Sequence, residues 1–216
     1  MKKILIIGAS GQIGKILTKQ LSKSADFEPI ALFRSEDQKQ FFEELGVDYQ
    51  IVSLEDSVDE IAKAISDIDA VVFSAGSGGK TGYDKTLAID LDGAAKAMDA
   101  AERVGVKRFV IVSALNTDNR DFWNNSGMKP YYIAKHYADR ILKSSNLDYT
   151  IVRPGQLLDD AGTGKITTNN PAANKSVPRE DVASLIVEVL KHDHTIGKII
   201  EFNQGDTPIW DVIKEI

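Results

Sequence analysis

Cysteine is absent from the 216-residue chain, which excludes disulfides, a thiolate nucleophile, thiolate metal ligation and thioether haem attachment. The three histidines, His136, His192 and His194, fall in no zinc-ligand spacing, so no metal site is expected. No apolar run approaches the roughly 18 residues of a membrane span. The short run Lys2-Lys3-Ile4-Leu5-Ile6-Ile7 meets a glycine-rich turn instead of continuing as a signal-peptide core, and the expectation is a cytoplasmic protein without membrane association. Six prolines and sixteen glycines are too few for a collagen-like or disordered chain. Basic residues are in deficit, 26 Lys and Arg against 32 Asp and Glu for a formal charge of -6. That balance argues against a nucleic-acid partner and leaves room for a local anion site.

What remains is an ordinary globular composition, 43% hydrophobic and 27% charged, in a chain long enough to bury about 70% of its extended surface. Short apolar segments alternate with longer segments of helical period. Ile4-Leu5-Ile6-Ile7, Pro29 to Phe33, Val47 to Val52, Ala70 to Phe73, Phe109 to Val112 and Tyr149 to Arg153 read as strands, with Lys198 to Phe202 as a last one. Their near-continuous hydrophobicity suits a parallel sheet buried on both faces. Between them, Gln12–Ser22, a segment capped by Ser35 with Gln38, a segment capped by Ser57 with Glu60, and Tyr83–Val104 as one long helix carry apolar stripes. Tyr131–Leu142, Asp181–Leu190 with Asp181 as N-cap, and a terminal helix from about Thr207-Pro208 complete the set. The expected fold class is α/β: one doubly wound, mostly parallel sheet over 1–216 with helices on both faces, and a ligand crevice at the carboxyl ends of the strands. The substrate side would come mainly from 114–130 and 155–180. Trp210 is expected to pack its own helix on the sheet, with a homodimer interface as the alternative; monomer and homodimer both stay open.

The strongest local motif is Gly8-Ala9-Ser10-Gly11-Gln12-Ile13-Gly14, set between the first strand and first helix. Gly8 permits the tight turn, Gly11 close backbone approach to a pyrophosphate, and Gly14 close helix-to-sheet packing, while backbone N–H groups at the helix start attract the phosphate charge. Dinucleotides that bind as NAD usually meet an acid after the second strand; here Leu32-Phe33-Arg34-Ser35 stands there. Arg34 can pair with a 2'-phosphate and Ser35 can add a hydrogen bond, so NADP(H) is preferred over NAD(H). Ala75-Gly76 and Pro154-Gly155, at the ends of the fourth and sixth strands, are expected at the cofactor, and Ser53-Leu54 at the adenine. Lys80, alone in a glycine loop, reads as solvated.

Tyr131 and Lys135 stand four positions apart on one helical face. Tyr131 can give a proton to a carbonyl oxygen as hydride reaches carbon; Lys135 favours the phenolate left behind and can bond the nicotinamide ribose; Ser113, just after the fifth strand, can orient the carbonyl. Helix packing and surface charge are the competing explanation for the pair. Phe122-Trp123 offer an aromatic lid or a satellite core.

Together the glycine turn, Phe109 to Ser113, Tyr131 to Lys135, Asp148 to Gly155 and Val177 to Ala183 resemble, in order and across nearly the whole chain, the atypical short-chain dehydrogenase/reductases. The resemblance is to their compact NAD(P)-binding group, which includes flavin reductase/biliverdin reductase B and NmrA-like proteins. It implies a Rossmann sheet, an NADP(H) cofactor with Arg34 as the selecting residue, and Ser113, Tyr131 and Lys135 as catalytic residues of an oxidoreductase acting on a small carbonyl, quinone or similar acceptor. Many full enzymes of the family carry an asparagine on the helix after the fourth strand, where this sequence offers Asp90 and Asp92. The compact members open two alternatives: a flavin- or biliverdin-type reductase, and a nonenzymatic NADP(H) sensor with a regulatory protein partner.

Overall fold

The computed structural model describes residues 1–79, 81–169 and 176–216. Among the described residues eleven strands form: β1 (Lys2–Ile7), β2 (Phe27–Phe33), β3 (Asp48–Ile51), β4 (Ala70–Phe73), β5 (Arg108–Val112), β6 (Asp148–Pro154), β7 (Gln156–Leu158), β8 (Lys165–Thr167), β9 (Ser176–Pro178), β10 (Lys198–Gln204) and β11 (Thr207–Pro208). The central sheet runs β3-β2-β1-β4-β5-β6-β10, parallel throughout, and continues through β8 and β11 in antiparallel pairing. The order reverses at β1, between β2 and β4, which opens a crevice above the carboxyl ends of those strands.

Among the described residues nine α-helices and one π-helical stretch cover the sheet: α1 (Gln12–Leu21), α2 (Gln40–Leu45), α3 (Val58–Ile65), α4 (Tyr83–Lys85), the π-helical stretch Thr86–Gly93, α5 (Ala94–Val104), α6 (Arg120–Asn125), α7 (Lys129–Ser144), α8 (Arg179–Lys191) and α9 (Ile209–Glu215). Because side chains alternate across a strand, each parallel strand feeds two cores. Ile4 and Ile6 of β1 join Leu17 of α1, Leu185 of α8 and Ile213 of α9 on one face. Leu5 and Ile7 join Ile61 of α3, Met98 of α5 and Leu142 of α7 on the other. Each fully buried Leu, Ile or Phe contributes about 1.5–3 kcal/mol by leaving water, so the two layers jointly fix the strand register and the crevice above it.

Several local expectations are corrected. Ser35 does not cap a helix: its hydroxyl bonds Asp37, a 3-10 turn spans Glu36–Gln38, and α2 starts only at Gln40. The Ser57/Glu60 capping box does form, with Ser57 Oγ accepting from Glu60 N and the Glu60 carboxylate accepting from Ser57 N. The helix expected over Tyr83–Val104 is interrupted by a π-helical stretch, which turns Thr86, Asp90 and Gly93 inward and leaves Leu87 of the expected apolar stripe exposed. Asp181 is not an N-cap; Pro178 holds that position and Asp181 lies in the first turn of α8. Trp210 does not pack α9 on the sheet. It is 46% exposed with the Lys214 ammonium 4.2 Å above its ring, while Ile209, Val212 and Ile213 are buried. Among the described residues no helix is long and apolar enough to cross a membrane.

Candidate functional site

The turn between β1 and α1 is built without room for side chains. Gly8 has φ +84°, and a Cβ there would lie 2.6 Å from the Ala75 backbone; one on Gly14 would lie 2.4 Å from the Gly8 carbonyl oxygen. The β1 turn thus packs directly on the backbone of Ala75, just after β4. Gly11 is the N-cap of α1, with no capping side chain and no acidic residue in the first turn. The N–H groups of that turn, from Gln12, Ile13 and Gly14, have no intrahelical carbonyl to meet. An uncapped helix start above a side-chain-free cradle, reached by the half-buried Ser10, fits a dinucleotide pyrophosphate.

Around this cradle the other expected residues take different positions. Arg34 is exposed immediately after β2, and Ser35 beside it is half-buried. After β3, Ser53 makes a tight turn, its N–H bonding Asp56 Oδ2 at 2.9 Å and its Oγ accepting from Glu55 N at 3.1 Å, while Leu54 is buried against Gly93. Pro154 closes β6, its carbonyl accepting from Leu115 N, and Gly155 N bonds Phe202 O. Lys80 and residues 170–175 of the expected substrate side lie outside the described residues.

The Tyr131/Lys135 face of α7 turns inward. Lys135 is 2% exposed and its Nζ donates to the Val112 carbonyl at 2.7 Å, fastening the middle of α7 to the end of β5 beside Ser113. A surface-charge explanation for Lys135 is therefore excluded. Ser113, itself buried, donates its hydroxyl to Asp139 Oδ2 at 2.9 Å. Asp139 stands four residues beyond Lys135, so Tyr131, Lys135 and Asp139 form one stripe of α7. Burial pushes the Asp139 carboxyl up, against the opposing charges of Arg153 and Lys135. Tyr131 is half-buried. Desolvation, then the negative charge of Asp90, then Tyr132 and Asp139 push its hydroxyl well above the ordinary tyrosine range. It holds its proton, as a general acid must.

Of two further parts of this arrangement, Arg153 escaped the sequence, whereas Asp90 was already offered, with Asp92, in the region of the family's asparagine. Asp90, 2% exposed in the π-helical stretch, accepts the Ser77 N–H at 2.9 Å and so ties down the loop after β4 while facing Tyr131 electrostatically. Arg153, buried at the end of β6, donates from Nε to Asp139 Oδ2 at 3.0 Å, and its Nη1 reaches Asp118 at 2.8 Å and Glu201 at 2.9 Å. Asp118 also meets His136 Nδ1 at 3.0 Å. Burial alone would raise the Asp118 carboxyl, but the hydrogen bond and charge of Arg153 hold it below the usual carboxylate range. Asp118 and Glu201, with Asn116, Asn119, Arg120 and Asp121, line a polar cavity of about 570 Å³ beside this network. An arginine directly after the apolar pair Ile151-Val152 was the available signal.

The Phe122-Trp123 pair divides its duties. Trp123 is 2% exposed, with Nε1 donating to Asn116 O at 3.1 Å, and anchors α6. Phe122 stays exposed and meets the Tyr132 ring edge-on at 5.2 Å, which in turn meets Tyr131 at 5.4 Å. An aromatic row therefore leads from solvent to Tyr131.

A doubly wound parallel sheet with this glycine cradle defines an NAD(P)-binding Rossmann protein. The family model described as NAD(P)H-binding matches residues 8–193, and the chain belongs to that family. It is 45% identical over 214 residues to the Bacillus subtilis protein named "Uncharacterized sugar epimerase YhfK", covering 99% of this chain and 100% of that one. A solved structure, "Putative NAD-dependent epimerase/dehydratase from Bacillus halodurans", superposes with a TM-score of 0.92 at 40% identity, covering all of both chains. "Sanguinarine reductase" of Eschscholzia californica is 26% identical over 254 residues, 98% of this chain and 92% of that one. The surroundings are thus oxidoreductase- and epimerase-like, with a reductase among the relatives.

Proposed function

We propose that the protein is an NADPH-dependent reductase of a small carbonyl, quinone or similar acceptor, with Tyr131 as proton donor. The observation that carries this reading is the buried Lys135 ammonium, bonded to Val112 O one helical turn from Tyr131 and next to Ser113. When bound, the nicotinamide supplies the hydride. Tyr131, kept protonated by burial and by Asp90, gives its proton to the acceptor oxygen. Lys135 has donors to spare beyond the Val112 bond, and these stabilise the phenolate that Tyr131 becomes and bond the cofactor ribose. Ser113 orients the acceptor by rotating its hydroxyl away from Asp139, whose charge Arg153 continues to hold. NADPH is preferred because Arg34 stands where an acid would select NADH.

A second reading, flavin reductase, is favoured by the row Phe122–Tyr132–Tyr131, which offers aromatic edges to a planar ring. NADPH consumption assayed with carbonyls, quinones and free flavin decides between the two. Turnover confined to flavin would move the reading to the second, and turnover with none of them would overturn both.

A further inference from the structure

The run Arg179-Glu180-Asp181 opens α8, and all three side chains reach back to one loop. Glu180 accepts the Gly162 N–H at 2.8 Å. Asp181, 1% exposed, accepts the N–H groups of Thr163 at 3.0 Å and Gly164 at 2.7 Å. Arg179 instead holds a side chain: its Nη1 donates to Asp159 Oδ1 at 2.7 Å, and the same oxygen accepts from Gln12 Nε2 at 3.0 Å. Gln12 is the first residue of α1, within the glycine cradle.

A carboxylate of the protein is thus held by a guanidinium and an amide at the mouth of a helix that has neither a capping side chain nor an acid in its first turn. These are the donors that a phosphate oxygen takes. Arg179 itself stands where the dipole of α8 disfavours a cation, so helix stability does not explain it. Asp159 is loosely committed. Its side chain is 72% exposed, against 18% for Arg179, and a pair that open to water contributes little to stability.

We propose that Arg179 is a ligand of the cofactor pyrophosphate and that Asp159 keeps its place, yielding the guanidinium and the Gln12 amide to phosphate oxygens when the dinucleotide binds. Like charges at this spacing repel, so Asp159 moves outward. Residues 159–161 swing with it, while 162–164 stay fastened to Glu180 and Asp181. Arrival of the cofactor on α1 is thereby felt in the loop between β7 and β8. The inference rests on NAD(P) binding and is independent of the acceptor and of Tyr131.

Calorimetric titration with ADP-ribose, NADH and NADPH tests it, since all three carry the pyrophosphate and ADP-ribose lacks the nicotinamide. Arg179→Ala should weaken all three by about 10-fold or more, with Arg179→Gln intermediate and thermal midpoints confirming that both variants fold. Asp159→Asn should tighten all three, and should give no gain once Arg179 is Ala. Thr163 and Gly164 should stay protected from hydrogen exchange on saturation with ADP-ribose. If Asp159→Asn weakens binding in parallel with Arg179→Ala, the pair is a structural staple and the proposal is wrong. Unchanged ADP-ribose affinity in Arg179→Ala overturns it equally.

Discussion

Ser113 donates a hydrogen bond from its hydroxyl to Asp139 Oδ2, 26 residues further along the chain, at 2.9 Å. The same carboxylate oxygen takes the Nε–H of the buried Arg153. The hydroxyl at the end of β5 is therefore aimed by a buried ion pair, and α7 is locked to the sheet at two points, by Lys135 on Val112 and by Asp139 on Arg153.

Removing the carboxylate should be costly. Asp139→Ala leaves Arg153 with only the partly exposed Asp118 and Glu201, and the expected loss is about 3 kcal/mol or more. Asp139→Asn should lose less, since its amide oxygen can still accept. Urea denaturation of both variants measures this, and equal, small losses would show that the pair is not holding α7.

Acid should act through Asp118. Its carboxyl is held below the usual range in the folded state, so it contributes stability above the unfolded value of about 3.9 and loses that contribution as pH falls through the lower folded value. The unfolding free energy of the wild type should accordingly drop more steeply below about pH 4 than that of Asp118→Asn. Parallel curves would remove the Arg153–Asp118 pair from the account.

Alkali should act late. With Tyr131 raised by burial and by Asp90, kcat/KM for reduction should not fall as pH passes about 10, the ordinary tyrosine value. Asp90→Asn removes one of the causes and should bring the alkaline limb to lower pH. A fall in the wild type near pH 10 would mean that the tyrosine is unperturbed.

Arg34→Ala should weaken NADPH by about 1.5–3 kcal/mol and NADH much less. Equal losses, or equal affinities of the wild type for both cofactors, would remove Arg34 from the 2'-phosphate. The contrast with Arg179→Ala, which should affect both cofactors alike, separates the two arginines.

The sheet was legible because parallel strands covered on both faces are continuous apolar runs, as in Ile4–Ile7 and Phe109–Val112, and because Gly8, Gly11 and Gly14 mark one particular turn. β7, β8, β9 and β11 were not, since two or three residues are too short to show an alternating period. Arg34 could be placed from the end of β2 alone. Asp139, Arg153 and the Arg179–Asp159–Gln12 contact could not, because each depends on partners brought together only by the winding of the sheet. Two hints were present nonetheless: an acid four residues after Lys135 on the same face, and the charges Arg153 and Glu201 next to the apolar runs Ile151-Val152 and Ile199-Ile200.

The most direct test of the central claim is single-turnover oxidation of NADPH by a carbonyl acceptor in the wild type and in Tyr131→Phe, with cofactor affinity and thermal midpoint measured on both. The account predicts a loss of about 10²-fold or more in the rate at unchanged affinity and fold. An undiminished rate in Tyr131→Phe would contradict it, because the proton would then come from elsewhere.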